Sequence, residues 1–275
     1  MSEILKPSDL MREEFSTQNS DSQKKLFAVF GKPIGHSLSP LMQNKALEEI
    51  AKSDVKFANA KYYAFEVYPE NLAEVLDMFW QKNFSGINLT IPHKEVAMKV
   101  VQEFDSSALS AKACNTLLRT PTGWKGYNTD GFGVRASIEQ GLKKSIKNAD
   151  VVILGAGGAS RGATVEIINA GCKSLLVANR NQDRLKNFID DLSTENFTIQ
   201  GATLENIERL RISRYAISSQ QRNNIGNLGT RKFNSSRKWL GNARLARRKI
   251  SFYLDWQTAL WFANVKHTQR TSLWT

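Results

Sequence analysis

The sequence contains little that would set the chain apart from ordinary globular proteins. Its 275 residues include two cysteines, Cys114 and Cys172, which are too few for a disulfide framework and suit a reducing compartment. No apolar run approaches the roughly 20 residues that a membrane-spanning helix needs. The first residues mix charges of both signs and contain no apolar stretch, so we expect no secretory signal and a cytoplasmic location.

Metal-ligating residues are equally scarce. His36, His93 and His267 do not cluster in the sequence, and the two cysteines lack the spacing of metal ligands. The sequence therefore predicts no metal site. Both cysteines are expected to be small buried residues instead.

Acidic residues are almost missing from the end of the chain. Residues 211–275 contain nine arginines and four lysines against one acid, Asp255, so they carry the whole net charge of +12. Residues 1–210 are balanced, with 25 basic and 25 acidic groups. The same terminal segment holds four of the six tryptophans and none of the six prolines. An otherwise balanced globular protein thus ends in a segment of different composition.

The first half of the chain reads as alternating strands and helices. Residues 1–24 are polar, which predicts a disordered extension. From Lys25 onward, short apolar runs alternate with helical patterns, which favours an α/β architecture. The predicted strands are LFAVFG (26–31), YYAFEV (62–67) and GINLTI (86–91), and helices are predicted after Ser39-Pro40, after Pro69 and over residues 95–112. Residues 115–128 are predicted to form a hairpin.

A second unit is expected to begin near residue 130. A helix is predicted from Thr129 to about Leu142, and residues 150–180 have the strand, Gly-rich turn, helix and strand of a βαβ unit. The sequence therefore predicts an α/β domain over residues 25–130, a partial Rossmann-type domain over residues 131–210 and an atypical basic tail over residues 211–275.

The turn of the βαβ unit has the composition of a phosphate site. Gly155 lets the chain turn tightly after the strand, and Gly157 lets a pyrophosphate approach the backbone. A helix predicted from about Ala159 would direct its free N–H groups toward that phosphate, and Ser160 is small enough for close packing. The alternative is a Gly-rich turn without a ligand.

The end of the second strand of this unit indicates which cofactor is used. Enzymes that use NAD usually have Asp or Glu there, but this chain has Asn179-Arg180-Asn181, with Arg184 four residues after Arg180. Two guanidinium groups beside the ribose suit a 2′-phosphate, so the sequence favours NADP over NAD. The alternative is a pair of solvated arginines at a helix start.

Polar clusters in the first half fall at the ends of predicted strands, where α/β sheets bind ligands. Ser37 and Ser39, at a helix start, make a candidate carboxylate site, unless Ser39 simply caps the helix. Asn88 and Thr90 alternate onto one face of the third strand. Lys94 follows just beyond, either as a proton-transfer group or as a solvated surface lysine.

The remaining cluster combines Asn115-Thr116 with Asn128-Thr129-Asp130. Asp130 either caps the helix that it precedes or orients Lys94 and balances its charge. In the second case Lys94 and Asp130 meet across one crevice, and this meeting is the central structural prediction of the sequence.

Six segments resemble the shikimate dehydrogenase family in order and spacing: GKPIGHSLSP, INLTIPHK, KACNTL, GYNTDGFG, VVILGAGGASRGA and ANRNQDR. The resemblance covers about residues 25–210. It implies the reversible NADP-dependent reduction of 3-dehydroshikimate to shikimate, in the chorismate pathway to aromatic amino acids. It also implies an α/β substrate-binding domain beside an NADP-binding Rossmann domain, with the site in the cleft between them.

The resemblance implies a role for each residue of these motifs. The substrate carboxylate would be held by Ser37 and Ser39, and the ring hydroxyls by Asn88, Thr90, Asn115 and Asp130. Lys94, paired with Asp130, would transfer the proton. The cofactor pyrophosphate would be bound by Gly155, Ala156, Gly157, Gly158, Ala159 and Ser160, and its 2′-phosphate side by Asn179, Arg180 and Arg184.

The resemblance is lost after about residue 210. The family continues with an Asn-Ala-Thr-Ser-x-Gly turn, an Asp-x-x-Tyr-x-Pro segment and an Asn-Gly-x-x-Met-Leu-x-x-Gln helix, none of which is present here. The loss coincides with the change in charge and proline content, which indicates a reading-frame shift close to residue 210. An incomplete Rossmann sheet would expose apolar surface and strand edge, so we expect low stability and little or no activity.

Two other functions stay open. One is a quinate/shikimate dehydrogenase that uses NAD. The other is a nucleic-acid-associated protein, because an Arg-rich tail with tryptophans could contact phosphates and stack on bases. The second is disfavoured, since out-of-frame text rich in Arg, Ser and Trp has the same composition. The oligomeric state, a homodimer included, is left open.

Overall fold

A computed structural model describes residues 3–16 and 24–203. The chain divides into two compact units. The first runs to Gly131 and includes Arg161–Val165, and the second comprises Phe132–Ser160 and the chain from Glu166 onward. The basic tail predicted over residues 211–275, and the frame shift proposed close to residue 210, lie outside the described residues.

The first unit contains a mixed sheet of seven strands within the described residues, in the order β1-β3-β2-β4-β6-β7-β5. The strands are β1 (Ile4–Leu5), β2 (Leu26–Gly31), β3 (Lys61–Glu66), β4 (Phe84–Leu89), β5 (Glu103–Phe104), β6 (Thr116–Thr120) and β7 (Gly123–Tyr127). The first four in spatial order are parallel, and β6 is antiparallel to β4 and to β7. The predicted strands and the hairpin are thus confirmed.

Helices cover both faces of this sheet. They are α1 (Ser39–Ala51), α2 (Leu72–Gln81), α3 (His93–Val100) and α4 (Ser106–Ala111). Successive strand residues point to opposite faces. Phe30 and Phe65 therefore enter the larger core, which also contains Phe79 of α2, whereas Val29 and Ala64 enter a smaller core with Leu47 of α1.

The expectation that residues 1–24 form a disordered extension is wrong over residues 3–16. The segment adds β1 alongside β3 and then forms two short 3-10 turns, over Pro7–Met11 and Glu13–Phe15. Leu5, Leu10 and Phe15 are fully buried in the larger core, where the Phe15 ring lies 5.1 Å from the Tyr63 ring. These three apolar side chains anchor the segment to the larger core, although most of its other residues are polar.

The single helix predicted over residues 95–112 is also wrong. Helix α3 ends at Val100, and α4 begins only after β5. The carboxylate of Asp105 accepts the Ser107 N–H at 2.9 Å and caps α4, which is the local reason for a separate helix start. The start of α1 differs from the prediction in its cap, because the Ser37 hydroxyl, not that of Ser39, accepts a backbone N–H there, from Ser39 at 3.3 Å.

The second unit contains the predicted βαβ pattern. Its strands are β8 (Asp150–Leu154), β9 (Ser174–Asn179) and β10 (Gln200–Thr203), all parallel and in the order β10-β9-β8. Its helices are α6 (Gly158–Asn169) and α7 (Gln182–Leu192). Helix α5 (Asp130–Ala136) precedes them and continues into a π-helical turn over Ser137–Gly141. Strand β10 was not predicted, because its sequence QGAT is short and polar.

None of the helices in residues 3–16 and 24–203 has the length and apolar content to span a bilayer.

Phe15→Ala should lower the free energy of unfolding by about 3–5 kcal/mol, because the ring fills a fully buried site in the larger core. Urea unfolding followed by circular dichroism measures this change. Met11→Ala, in the same segment, is the matched control, because Met11 is 82% exposed and its truncation should change stability by less than about 0.5 kcal/mol. Equal effects of the two substitutions would contradict the packing of this segment.

Candidate active site

The centre of the site is a buried ion pair. Lys94 is the second residue of α3, and Asp130 is the first residue of α5. The Lys94 Nζ lies 2.6 Å from Asp130 Oδ2, and the two side chains are 12% and 2% exposed. The amine and the carboxylate therefore meet, as the sequence predicts. Asp130 does more than begin its helix, because its side chain faces Lys94.

A second hydrogen bond fixes the other oxygen of this carboxylate. Asn115 lies just before β6, and its Nδ2 donates to Asp130 Oδ1 at 2.7 Å. The Asn115 Oδ1 in turn accepts the Thr129 N–H at 2.9 Å, which sets the orientation of the amide. The Asp130 N–H donates to Asn128 Oδ1 at 3.1 Å. Each carboxylate oxygen of Asp130 thus has a fixed donor.

Asn88 joins the same network from the end of β4. Its Nδ2 donates to the Thr116 hydroxyl at 3.1 Å and, over 3.4 Å, to the Asn115 carbonyl. Its Oδ1 accepts a hydrogen bond from the Tyr62 hydroxyl at 2.7 Å. Asn88, Asn115, Lys94 and Asp130 are therefore linked through a continuous set of hydrogen bonds at the ends of neighbouring strands.

Thr90 and the two serines take positions at the same carboxyl edge of the sheet. Thr90 directly follows β4, where its N–H donates to the Phe30 carbonyl at 2.9 Å and its carbonyl accepts from His93 at 2.8 Å. Ser37 lies between β2 and α1, Ser39 is the first residue of α1, and the Ser39 N–H donates to the Ser37 hydroxyl at 3.3 Å. Both are partly accessible.

The neighbouring titratable groups are poorly suited to proton transfer. His93 precedes Lys94, but its ring is fully buried and its nitrogens have no hydrogen-bond partner among the residues that the structure describes. Burial lowers the pKa of His93, so its ring is neutral at pH 7. Burial raises the pKa of the Cys114 thiol to about 12. Among these titratable groups, Lys94 is thus the one that is both largely buried and bonded to a charged partner.

Both cysteines are free and buried, as the sequence predicts. Over the described ranges, no three His, Cys, Asp or Glu side chains group as metal ligands would.

The Gly-rich turn of the second unit has the backbone shape that phosphate binding needs. Gly155 follows β8 with φ +104°, a conformation that side chains disfavour, and its N–H donates to the Ala178 carbonyl at 2.7 Å. Gly157 precedes α6, which begins at Gly158 and continues for 12 residues. Ala156 and Ser160 are buried beneath the turn. The free N–H groups of Gly158, Ala159 and Ser160 lie at the helix N-terminus.

Two arginines follow β9 but differ in their surroundings. Helix α7 begins at Gln182 and is capped by Asn181, whose Oδ1 accepts the Arg184 N–H at 2.8 Å. The Arg184 Nε donates to the Ala156 carbonyl at 2.8 Å, which ties α7 to the Gly-rich turn. Arg180 is exposed. Asn179 also contacts the turn, since its Oδ1 accepts the Ala156 N–H at 3.4 Å.

No motif in the sequence identifies Tyr62 as part of this arrangement. Strand alternation places Tyr62 and Ala64 on one face of β3, but the link to Asn88 follows only from the strand pairing, in which Val29 lies level with both Ala64 and Asn88. Thr116 and Thr129 belong to the third polar cluster predicted from the sequence, which assigned them no role, and both hydrogen-bond to Asn115.

Two family profiles match the chain, one in each unit. The profile of the shikimate dehydrogenase substrate binding domain matches residues 29–117, and that of shikimate / quinate 5-dehydrogenase matches residues 137–224. The second match continues beyond residue 210, past the end of the motif resemblance.

Proteins named as shikimate dehydrogenases resemble the chain in sequence and in fold. The shikimate dehydrogenase (NADP(+)) of Geobacillus sp. (strain WCH70) is 37% identical over 166 residues, which are 60% of this chain and 58% of that protein. The crystal structure of shikimate dehydrogenase from Aquifex aeolicus has a TM-score of 0.59 and 29% identity, with 69% of this chain and 67% of that chain covered.

A third relative was crystallised with its ligands. Shikimate 5-dehydrogenase from Thermus thermophilus, in complex with NADP(H) and shikimate, has a TM-score of 0.56 and 29% identity, with 67% of this chain and 65% of that chain covered. The chain spans less than two thirds of the length of the curated relatives it matches. Both profiles, the identities and the shared fold agree, and the chain belongs to the shikimate dehydrogenase family.

Proposed function

We propose that this protein is an NADP-dependent shikimate dehydrogenase, which reversibly reduces 3-dehydroshikimate to shikimate in the chorismate pathway to aromatic amino acids. The observation that carries the proposal is the buried Lys94–Asp130 pair, held by Asn115 within a network of amide and hydroxyl groups. Such a network suits a small ligand with several hydroxyls. The two free thiols suit the reducing cytoplasm as the location.

The substrate is proposed to bind at the carboxyl edge of the seven-stranded sheet. Ser37 and Ser39 supply hydroxyls and a helix N-terminus for its carboxylate, because α1 begins at Ser39 and runs for 13 residues. The ring hydroxyls are assigned to Asn88, Thr90, Asn115 and Asp130. The hydrogen bonds among these side chains fix their directions before the substrate arrives, which lowers the entropic cost of binding.

The Gly-rich turn fits a dinucleotide. The turn from Gly155 to Ser160 ends in the backbone N–H groups of Gly158, Ala159 and Ser160 at the start of α6, which would face the pyrophosphate. Asn179, Arg180 and Arg184 would lie beside the adenosine ribose. No carboxylate stands at the end of β9, so a 2′-phosphate meets positive charge there. When bound at this turn, NADP(H) would supply the hydride for carbonyl reduction and would accept it in the reverse direction.

Lys94 is proposed to transfer the proton. In the oxidative direction its amine accepts the proton of the reacting hydroxyl, and in the reductive direction its ammonium returns that proton to the carbonyl oxygen. Asp130 holds the Lys94 side chain at 2.6 Å and balances its charge, while Asn115 keeps the carboxylate in place. These residues therefore hold and move one proton at a fixed position.

The alternatives are less well supported. An NAD-dependent quinate/shikimate dehydrogenase would lack the usual carboxylate for the ribose hydroxyls, because Asn179 and Arg180 occupy the position of the acid. A nucleic-acid-associated function would depend on residues 211–275, which lie outside the described residues, and the relatives named above are dehydrogenases.

The altered C-terminal segment is proposed to keep activity low. Restoring the family reading frame after the Rossmann half should raise shikimate-dependent NADPH formation at least tenfold, because the missing segments would complete the second sheet. Absorbance at 340 nm measures the rate for both chains. Sequencing of the coding region is the control. An uninterrupted native gene, or ordinary turnover by the present chain, would contradict the frame shift.

Lys94→Ala should lower the turnover of the frame-restored chain by about 10²- to 10⁴-fold, since general acid–base catalysis contributes that much. The same substitution in the present chain should remove whatever turnover remains. Lys99→Ala is the matched control, because Lys99 is an exposed lysine on the same helix. Equal rates for the Lys94→Ala variant and its parent would refute the proposed role of the amine.

Substitution of the two arginines should separate 2′-phosphate recognition from support of the turn. Arg180→Gln should weaken NADP+ binding by about 10-fold or more and leave NAD+ binding unchanged, because only NADP+ has the 2′-phosphate. Arg184→Gln should weaken both, because Arg184 also holds the Ala156 carbonyl. Titration calorimetry with each cofactor measures the affinities. An Arg180→Gln variant that binds both cofactors as before would contradict the assignment of NADP.

A further inference from the structure

Tyr62 is a buried tyrosine whose hydroxyl reaches the candidate site from β3. The phenol oxygen lies 2.7 Å from Asn88 Oδ1. Burial raises the pKa of Tyr62, so the hydroxyl keeps its proton and acts as a donor. The ring belongs to the smaller core with Val29 and Leu47, which immobilises it.

The backbone of Tyr62 is held as firmly as its ring. Asn44 of α1 donates from Nδ2 to the Tyr62 carbonyl at 2.8 Å, and its Oδ1 accepts the Tyr62 N–H at 2.9 Å. One side chain thus pairs with both backbone groups of the residue. The position of the Tyr62 hydroxyl is therefore set by α1 and by the core, independently of any ligand.

The network around Asn115 fixes which end of the Asn88 amide faces Tyr62. The Asn115 Oδ1 accepts the Thr129 N–H, so it is the oxygen end of that amide. The Thr116 hydroxyl donates its proton to Asn115 Oδ1 at 2.9 Å, a much shorter contact than its 3.4 Å approach to the Thr129 hydroxyl. The Thr116 oxygen can then only accept from Asn88, so the Asn88 Nδ2 points toward Thr116 and its Oδ1 points toward Tyr62.

We propose that Tyr62 is a positioning residue that fixes the Asn88 amide so that Asn88 meets a ligand only as a hydrogen-bond acceptor. Both Asn88 N–H groups are directed inward, to the Thr116 hydroxyl and the Asn115 carbonyl. Its Oδ1 keeps a second lone pair beside the bond from Tyr62. The inference rests on the proposed function and adds a selectivity rule to it.

The rule concerns which ligand oxygen lies at Asn88. Asn88 Oδ1 is a hydrogen-bond acceptor, so it can bind a hydroxyl but not a carbonyl. The ligand group at Asn88 must therefore be a hydroxyl in both the oxidised and the reduced form of the substrate. The reacting oxygen alternates between hydroxyl and carbonyl, and it needs a group that can donate to the carbonyl. Lys94 is such a group in its protonated form. Asn88 therefore selects a hydroxyl that does not react.

Tyr62→Phe tests this positioning. In the frame-restored chain, we expect the KM and the Kd for shikimate to rise about 3- to 10-fold while kcat changes less than about twofold, because one neutral hydrogen bond that orients a binding group is removed. In an Asn88→Ala background the same substitution should have no further effect on shikimate affinity. A purely structural role of Tyr62 would instead lower stability and leave shikimate affinity unchanged, which would overturn the proposal.

Tyr63→Phe is the matched control. Tyr63 is the next residue of β3, on the opposite face, and its hydroxyl donates to Glu14 Oε2 at 3.2 Å. This variant also loses one hydrogen bond from a phenol to a side-chain oxygen. The lost bond is chemically similar to that of Tyr62, but it lies on the face of the sheet away from the candidate site. Shikimate affinity should be unchanged in this variant. An equal loss of affinity in both variants would overturn the proposal.

A second readout needs no ligand. In the ¹⁵N-labelled full chain, Tyr62→Phe should shift both side-chain amide proton signals of Asn88, whereas Tyr63→Phe should not. Unchanged Asn88 signals overturn the proposal whatever the binding data show. If the unsubstituted chain fails to bind shikimate while the Asn88 signals shift, the proposed function fails and the Tyr62–Asn88 bond stands, so the two failures are distinguishable.

Discussion

The buried ion pair between Lys94 and Asp130 is the interaction on which the site depends. Removing water from an ammonium and a carboxylate is costly, and loss of one partner of such a pair typically costs about 3–5 kcal/mol because the other charge stays buried. Here the carboxylate also accepts a hydrogen bond from Asn115. The surrounding amides offset the desolvation, and they hold the amine in one place, which is what proton transfer requires.

The fold brings these groups together because the sheet order differs from the chain order. Asn88, Asn115 and Asp130 come from the end of β4, the approach to β6 and the start of α5, which are neighbours only after β4 pairs with β6. In the second unit, the Gly-rich turn is also held by a side chain from a separate element, because Arg184 of α7 donates a hydrogen bond to the Ala156 carbonyl. In both units, side chains from separate elements fix a short loop at the ends of strands.

The sequence predicted the elements that have strong local signals. Apolar runs predicted β2, β3 and β4, and the glycines predicted the turn before α6. It missed β10, which buries little beyond Ala202, and the N-terminal segment, whose three buried side chains are separated by polar residues. It predicted the meeting of Lys94 and Asp130 but not the part of Tyr62. Tyr62 was missed because its hydroxyl reaches Asn88 across β2. Strands β3 and β4 lie on either side of β2 only in the folded sheet, and their spatial order cannot be read from the sequence.

The short strand β1 protects the sheet from pairing with other molecules. Without it, β3 would be the margin of the sheet, with its backbone groups open to pairing with another molecule. Ile4 pairs with Ala64, so the backbone groups that cover this edge come from a segment sixty residues away in the chain. Loss of that pairing would leave the β3 edge open to strands of other molecules, which is a known route to aggregation.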